Sequence, residues 1–332
     1  MPLVSIITPL FNREDYIVEM IQSIADQTFS DYELIVVNDE STDKSESVAK
    51  NALIQKGVPG KVITIRNSGP DHARDIGLVE ANGDLVVLLD SDDLWEPDFL
   101  LTAVEAYKLS NTEHFFLFTD FKLLYENDNK LIKKSSLLRH LKELEKQSSK
   151  SNAPDLQKID GDMFSYLLTE QPIFIGALAF SRAIIDKVGN FCKIIPERGL
   201  SVEWEFYLRC AHSVDINWFY SGTSFVKIRK HDDNVSGFFA KQIDGEVFVL
   251  EKINSEYSLT DDQRCKVNKQ IASRAFISGY AYFDNYQLAD ARRCFNKSLS
   301  SAFKIKPLIY MCFTFLPSPF IRGIKSLKAA LR

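Results

Sequence analysis

The stretch Leu85-Val86-Val87-Leu88-Leu89-Asp90-Ser91-Asp92-Asp93 runs five apolar residues straight into three carboxylates. An apolar run of this length with no polar alternation reads as a strand buried on both faces, as in a parallel sheet. Earlier runs read the same way. Residues 3–8 end at Pro9, residues 34–37 stop at Asn38-Asp39, and residues 62–65 form another short strand. Helical patterns lie between them. Tyr16, Ile17, Met20, Ile21 and Ile24 share one face, with Asn12 as the expected N-cap. Residues 45–55 and 71–81 follow, the second closed by Asn82-Gly83. Pro97 is expected in the first turn of a helix carrying Phe99, Leu100, Ala103, Val104 and Tyr107. Strands alternating with helices predict an α/β fold with a parallel sheet covered on both faces. Ligands bind such sheets outside the carboxyl ends of the strands. Asp39 and Asp90 both fall there.

Three carboxylates this close repel one another by about 3 kcal/mol per pair at about 5 Å and an effective dielectric of about 20. A bound cation removes that cost, and magnesium or manganese typically takes one or two carboxylates plus substrate phosphates. The residues alone also allow a plainer reading, a solvated turn capping a helix that begins near Trp95. Asp39 is equally two-sided. It could cap a helix opening at Asn38-Asp39-Glu40-Ser41, or accept hydrogen bonds from a nucleotide.

The chain has 332 residues, 45% hydrophobic and 26% charged, which is ordinary for a globular protein with a real core. Cys192, Cys210, Cys265, Cys294 and Cys312 are scattered without a Cys-x-x-Cys pair. That argues against a disulfide framework or a zinc site and fits a reducing compartment. The opening Met1-Pro2-Leu3-Val4-Ser5 has no basic segment followed by a long apolar one, so a cytoplasmic protein is expected. The net charge of −5 conceals an asymmetry. Residues 291–332 contain nine Lys or Arg and no Asp or Glu, while residues 1–290 hold 31 basic and 45 acidic side chains, a net −14. Such a body is a poor nucleic-acid binder, but its basic end suits an anionic membrane surface.

Residues 126–160 are polar and rich in Lys and Ser, with one helix expected over 136–146. Apolar runs and helix return over 173–209. Residues 240–332 read as mainly helical, with faces at Ala275, Phe276, Tyr280 and Phe283 and again at Leu288, Ala291, Phe295 and Leu299. The expected division is a main domain over 1–239, with one half at about 1–120 and a second at about 160–239, followed by a helical appendage over 240–332. Residues 308–316 are apolar but too short to span a bilayer. Phe320, Ile321, Ile324, Leu327 and Leu331 then recur at helical spacing with Lys325, Lys328 and Arg332 on another face. That pattern describes either a basic helix lying in a membrane interface or one docked on the main domain.

Several linked motifs resemble the large family 2 of inverting glycosyltransferases. They are Val4-Ser5-Ile6-Ile7-Thr8-Pro9-Leu10-Phe11-Asn12, Gln27-Thr28-Phe29, Glu33 through Asp43, Ala73-Arg74-Asp75-Ile76-Gly77-Leu78, and Leu88 through Pro97. The resemblance is strong over residues 3–120 and extends more weakly to about 236. It implies the GT-A fold, a Rossmann-like sheet that becomes mixed in its C-terminal part. It also implies a nucleotide-sugar donor, a glycan or lipid-linked acceptor and a divalent Mn2+ or Mg2+.

Carried over position by position, Thr8, Pro9 and Phe11 would border the nucleobase, with Phe11 standing where many relatives have Tyr. Asp39 would accept from the base, and Arg74 would lie near ribose or phosphates. Asp75 stands where Asn is usual. Asp90 and Asp92, with Ser91 between them, would form the Asp-x-Asp motif, Asp92 ligating the metal and Asp90 facing ribose and the metal's surroundings. Asp93 would assist the turn. Ser201 through Arg209 resembles the segment that carries the family's catalytic base, with Glu203 at the place of the usual Asp and Val202 at that of the preceding Glu. Glu205 sits roughly 200° around a helix from Glu203, so both cannot serve one site. Arg229 through Ser236 resembles a later loop whose His231 would add a metal or phosphate contact.

The expected function is transfer of a sugar from a nucleotide diphosphate to an acceptor hydroxyl, in the setting of bacterial surface-polysaccharide assembly. A sugar-phosphate nucleotidyltransferase would need a Gly-rich loop after the first strand, and residues 8–13 contain no Gly. A non-catalytic nucleotide-sugar binder of the same fold is the remaining alternative, suggested by Val202 and Asp75.

Overall fold

A computed structural model describes residues 1–125, 130–132, 148–150, 156–193, 201–230 and 239–316. The chain forms two compact units, Met1–Asp232 and Asp233–Arg332.

The first unit is built on one mixed sheet. Its parallel half comes from β1 (Val4–Leu10), β2 (Tyr32–Asn38), β3 (Gly60–Thr64) and β4 (Leu85–Leu88), in the order β3-β2-β1-β4. All seven residues of β1 and all four of β4 are buried, as apolar runs covered on both faces must be. The order reverses direction between β1 and β4, which opens a crevice at the carboxyl ends of those two strands. Helices α1 (Ile17–Ala25), α2 (Ser45–Lys56) and α3 (Pro70–Glu80) connect these strands. Helix α3 lies close against β1: a Cβ on Gly77 would stand 2.3 Å from Ile7 Cγ2. That approach sets Arg74 and Asp75 over the sheet edge.

Beyond β4 the pairing becomes mixed. The strands are β5 (Leu94–Trp95), β6 (Phe115–Tyr125), β7 (Lys130–Ile132), β8 (Ser148–Lys150), β9 (Leu156–Ile159), β10 (Leu178–Ser181) and β11 (Asn217–Lys230). Strand β10 pairs antiparallel with both β4 and β6, β11 runs parallel to β6, and β5 returns antiparallel onto β11. Helices α4 (Phe99–Ser110), α5 (Met163–Leu167), α6 (Ala183–Val188) and α7 (Val202–Ser213) complete the unit.

Three local expectations are corrected. Asn12 does not cap α1; it takes a left-handed conformation (φ 50°), and its Oδ1 accepts from the backbone N–H of Thr42 at 2.8 Å. Pro97 precedes α4 by two residues instead of opening it. The residues after Asp93 form strand β5, not a helix at Trp95, because their N–H and C=O groups pair with β11. The helix expected over 136–146, His231 and the basic face beyond residue 316 lie outside the described residues.

The second unit is helical: α8 (Phe239–Glu256), α9 (Asp261–Asp284), α10 (Leu288–Ser301) and α11 (Ile305–Phe313). Thr260 and Gln263 form a reciprocal capping box that starts α9. Phe283, Ala291, Cys294 and Phe295 form its core, with Tyr310 packed against them. Among the described residues no helix is long and apolar enough to cross a membrane.

Candidate functional site

The loops at the carboxyl ends of β1 and β2 are stitched together by their own polar residues. Asn12 N–H donates to Ser41 Oγ (3.1 Å), Arg13 N–H to Ser45 Oγ (2.7 Å), and Lys44 N–H to Glu14 Oε2 (2.9 Å). Thr8 is fully buried, whereas Phe11 is 43% exposed at the mouth of the crevice. Asp39 is buried, and its two carboxylate oxygens accept from the N–H groups of Ser68 (2.7 Å) and Gly69 (2.8 Å). It therefore fastens the loop that enters α3 and caps no helix. Each oxygen retains acceptor capacity after one bond.

Arg74 projects from α3 and is buried. Its Nη1 donates to Asp71 (2.8 Å) and its Nη2 to Asp90 (2.6 Å). Burial disfavours its charge, but the carboxylates of Asp90, Asp71 and Glu203 outweigh that and hold it more firmly protonated than an ordinary arginine.

The acidic cluster divides. Asp93 turns inward, is 2% exposed and accepts from Arg229 N–H at 2.9 Å. Burial, reinforced by the charges of Asp90 and Asp92, lifts its carboxyl well above the usual range. Asp90 and Asp92 stay half-buried at the crevice edge, with buried Ser91 between them. Arg13 Nε meets Asp92 Oδ2 at 2.9 Å, an ion pair that spans the crevice from β1 to β4. Arg229 Nε also holds the Asp92 carbonyl (3.0 Å). Gln27 and Thr28, just after α1, support the same region: Gln27 Nε2 donates to the Glu96 carbonyl (2.8 Å), and Thr28 N–H to that of Pro97 (2.9 Å).

Glu203 stands in the first turn of α7, half-buried. Its carboxyl is pushed up to about 7, first by burial and then by Asp71, against the opposing pull of Arg74. Asp90 acts on it in the same direction as Asp71, so Asp71, Arg74, Asp90 and Glu203 form one electrostatic group. The helix bearing Glu203 is anchored from behind. Glu205, fully buried, pairs with Arg209 at 2.9 Å, and Arg209 donates to the carbonyls of Val188, Gly189 and Asn190. Val202 is core. Asp75 accepts from the N–H groups of Phe191 (2.8 Å) and Cys192 (3.0 Å). Two N–H donors suit a carboxylate, which is all acceptor, better than an amide with one oxygen. This gives the Asp at that position a local reason.

Sequence reasoning passed over three residues of this group. Asp71 was detectable as a helical i, i+3 partner of Arg74. Arg13 carried no local signal, since its partner lies 79 residues away. Tyr207 lies one helical turn after Glu203, and its buried hydroxyl has no hydrogen-bond partner among the described residues. The buried Thr8 Oγ1 and Arg74 Nε share that condition. Buried polar groups ordinarily find a partner, in protein or solvent.

Among the described residues, no three His, Cys, Asp or Glu side chains come together to hold a metal by themselves. The donor set that does face the crevice, Asp90 and Asp92 with arginines beside them, has the composition that hard cations share with phosphates.

Residues 5–161 match the family model for Glycosyl transferase family 2. An uncharacterized glycosyltransferase of Haemophilus influenzae is 42% identical over 100 residues, 30% of this chain and 40% of its own. TuaG of Bacillus subtilis, provisionally named a teichuronic acid biosynthesis glycosyltransferase, is 35% identical over 132 residues, 40% of this chain and 52% of its own. The alignments thus span about half or less of these relatives' lengths. In three dimensions the chain resembles S. aureus TarS in complex with UDP-GlcNAc, with a TM-score of 0.63 at 18% identity, covering 90% of this chain and 81% of that one. It also resembles the mannosyltransferase PcManGT of Pyrobaculum calidifontis with GDP-Man and Mn2+ (TM-score 0.57, 17% identity, 99% and 84% covered).

Proposed function

We propose that this chain, which carries a family 2 glycosyltransferase domain of GT-A fold, transfers a hexose-type sugar from a nucleotide-diphosphate donor to an acceptor hydroxyl. The observation that carries this reading is the grouping of Glu203 with Asp71, Arg74 and Asp90 beside the β1/β4 crevice. It puts a carboxylate able to take a proton near neutral pH next to the groups expected to hold the donor.

In this mechanism Phe11 stacks on the nucleobase, and Asp39 accepts from it while still holding the loop at Ser68-Gly69. Asp92 and Asp90 are the residues that would hold a divalent cation, with the diphosphate completing its coordination. When bound, that cation would offset charge on the departing diphosphate as a Lewis acid. Arg13 and Arg74 supply fixed positive charge on the two walls of the crevice. Glu203 accepts the proton of the acceptor hydroxyl as its oxygen attacks the anomeric carbon. A single displacement with one base inverts that carbon. The buried hydroxyl of Tyr207 and Nε of Arg74 are placed to gain partners when ligand or water enters.

The name of TuaG supports surface-polysaccharide synthesis as the setting, with a glycan or lipid-linked acceptor. The two solved complexes support a UDP- or GDP-linked donor, and the Mn2+ in the second supports a divalent cation. The test is calorimetric titration with UDP and GDP, with and without Mn2+, followed by turnover with the matching nucleotide-sugars. Metal-dependent nucleotide binding together with sugar transfer is expected. Binding with no transfer across a panel of donors and acceptors would favour the non-catalytic alternative.

A further inference from the structure

Helix α11 has two unlike faces. One is fastened into the helical unit: Pro307 is buried, and the Tyr310 ring meets Phe276, Phe283 and Phe295 at centroid distances of 5.8, 5.7 and 6.1 Å. The other face looks outward and is apolar. Ile305 is 60% exposed and Ile309 43%, and Cys312 is exposed one turn further on. At 3.6 residues per turn these three fall within about 60° of one another. Phe303 (73%), before the helix, and Phe315 (70%), after it, lengthen the exposed band.

An outward helix face is ordinarily polar, so a contiguous apolar row there marks a contact surface. Its border identifies the partner. Residues 307–316 contain no charge, exposed Lys304 and Lys306 flank them, and the Arg292 guanidinium lies 5.0 Å from the Phe315 ring. From Ala291 to Arg332 the chain has nine cations and no acid. A second copy would bring only further cations to this border, since residues 291–332 offer no acid to pair with them, which disfavours self-association. An apolar row with aromatic ends and a cationic border is the chemistry of helices that lie at the surface of an anionic bilayer.

We infer that the outward face of α11 rests on an anionic membrane surface, with Ile305, Ile309, Phe303 and Phe315 entering the interface and Lys304 and Lys306 against lipid phosphates. This surface belongs to the helical unit, so the inference holds whether or not the chain transfers a sugar. The test is flotation of the full chain with phosphatidylcholine vesicles, with and without phosphatidylglycerol. Binding to the phosphatidylglycerol vesicles is expected, weakened by salt. Lys304→Glu with Lys306→Glu should weaken it at least roughly 30-fold, from the contribution of each lysine near such a surface. Ile305→Asp with Ile309→Asp should abolish it with unchanged far-UV circular dichroism, since all four side chains are exposed. Three results would overturn the inference: equal flotation on neutral vesicles, undiminished flotation of the Ile305→Asp/Ile309→Asp chain, or no flotation of the unaltered one. A concentration-dependent dimer lost in the same variant, without flotation, would assign the face to a second copy instead.

Discussion

Glu203 and Asp92 divide the proposed chemistry between them, and each can be removed with little change of shape. Glu203→Gln keeps the side chain's size and takes away its proton affinity. Transfer should fall by roughly 10²–10⁴-fold, while nucleotide binding measured by calorimetry stays within a few-fold. Full activity in this variant would remove Glu203 from the base role. Asp92→Asn should do the reverse and weaken Mn2+-dependent nucleotide binding by at least the 10–100-fold that loss of an outer-shell partner typically costs. The elevated Glu203 carboxyl also sets a pH dependence. A base must be unprotonated, so kcat/KM should rise with pH through about 7 and level off above it. Stability runs the other way. The folded chain holds this proton more tightly than the unfolded one, whose ordinary value is 4.5. The contribution is therefore complete below 4.5 and is lost as pH rises through about 7. Urea unfolding of Glu203→Gln should lack that slope. An unaltered slope would mean other groups produce it.

At the scale of elements, the site depends on where α3 and α7 are held. Helix α3 can present Arg74 and Asp75 because Gly77 lets it approach β1. Gly77→Ala would put a methyl 2.3 Å from Ile7 Cγ2 as the structure stands. Overpacking of this kind costs about 1–3 kcal/mol, visible as a lower urea midpoint with unchanged m. Helix α7 is held by the buried Glu205–Arg209 pair, whose guanidinium also binds three carbonyls. Glu205→Ala leaves that charge buried without its partner, a loss of roughly 3–5 kcal/mol. A change under about 0.5 kcal/mol, the usual range of surface substitutions, would show that solvent compensates there. Much of this layer was legible in the sequence: 85–89 as a buried strand, 45–55 and 71–81 as helices, and Glu205 as facing away from Glu203. Asn12 and Leu94-Trp95 were misread for one reason. A local capping or turn preference was outweighed by partners far along the chain, at Thr42 for Asn12 and on β11 for Leu94-Trp95.

For the whole molecule, binding should register as stability. A nucleotide diphosphate with Mn2+ that engages only the folded chain adds about 2.7 kcal/mol at a hundredfold excess over Kd. The unfolding temperature should rise accordingly, and EDTA should remove the gain. A shift that survives EDTA would mean that Arg13 and Arg74 bind the diphosphate unaided. The apolar runs and linked motifs in the sequence were enough to determine the α/β sheet, the positions of Asp39 and Asp90 at strand ends, and the resemblance to family 2. These follow from periodicity and residue type within a few turns of chain. Only the tertiary structure decided which carboxylates face the crevice. It turned Asp93 inward onto Arg229, bound Asp75 to Phe191 and Cys192, paired Asp92 with Arg13, and brought Glu203 to Arg74 across 129 residues. Burial and the distance between charges set a carboxylate's proton affinity, and both arise from segments that meet only once the sheet has closed.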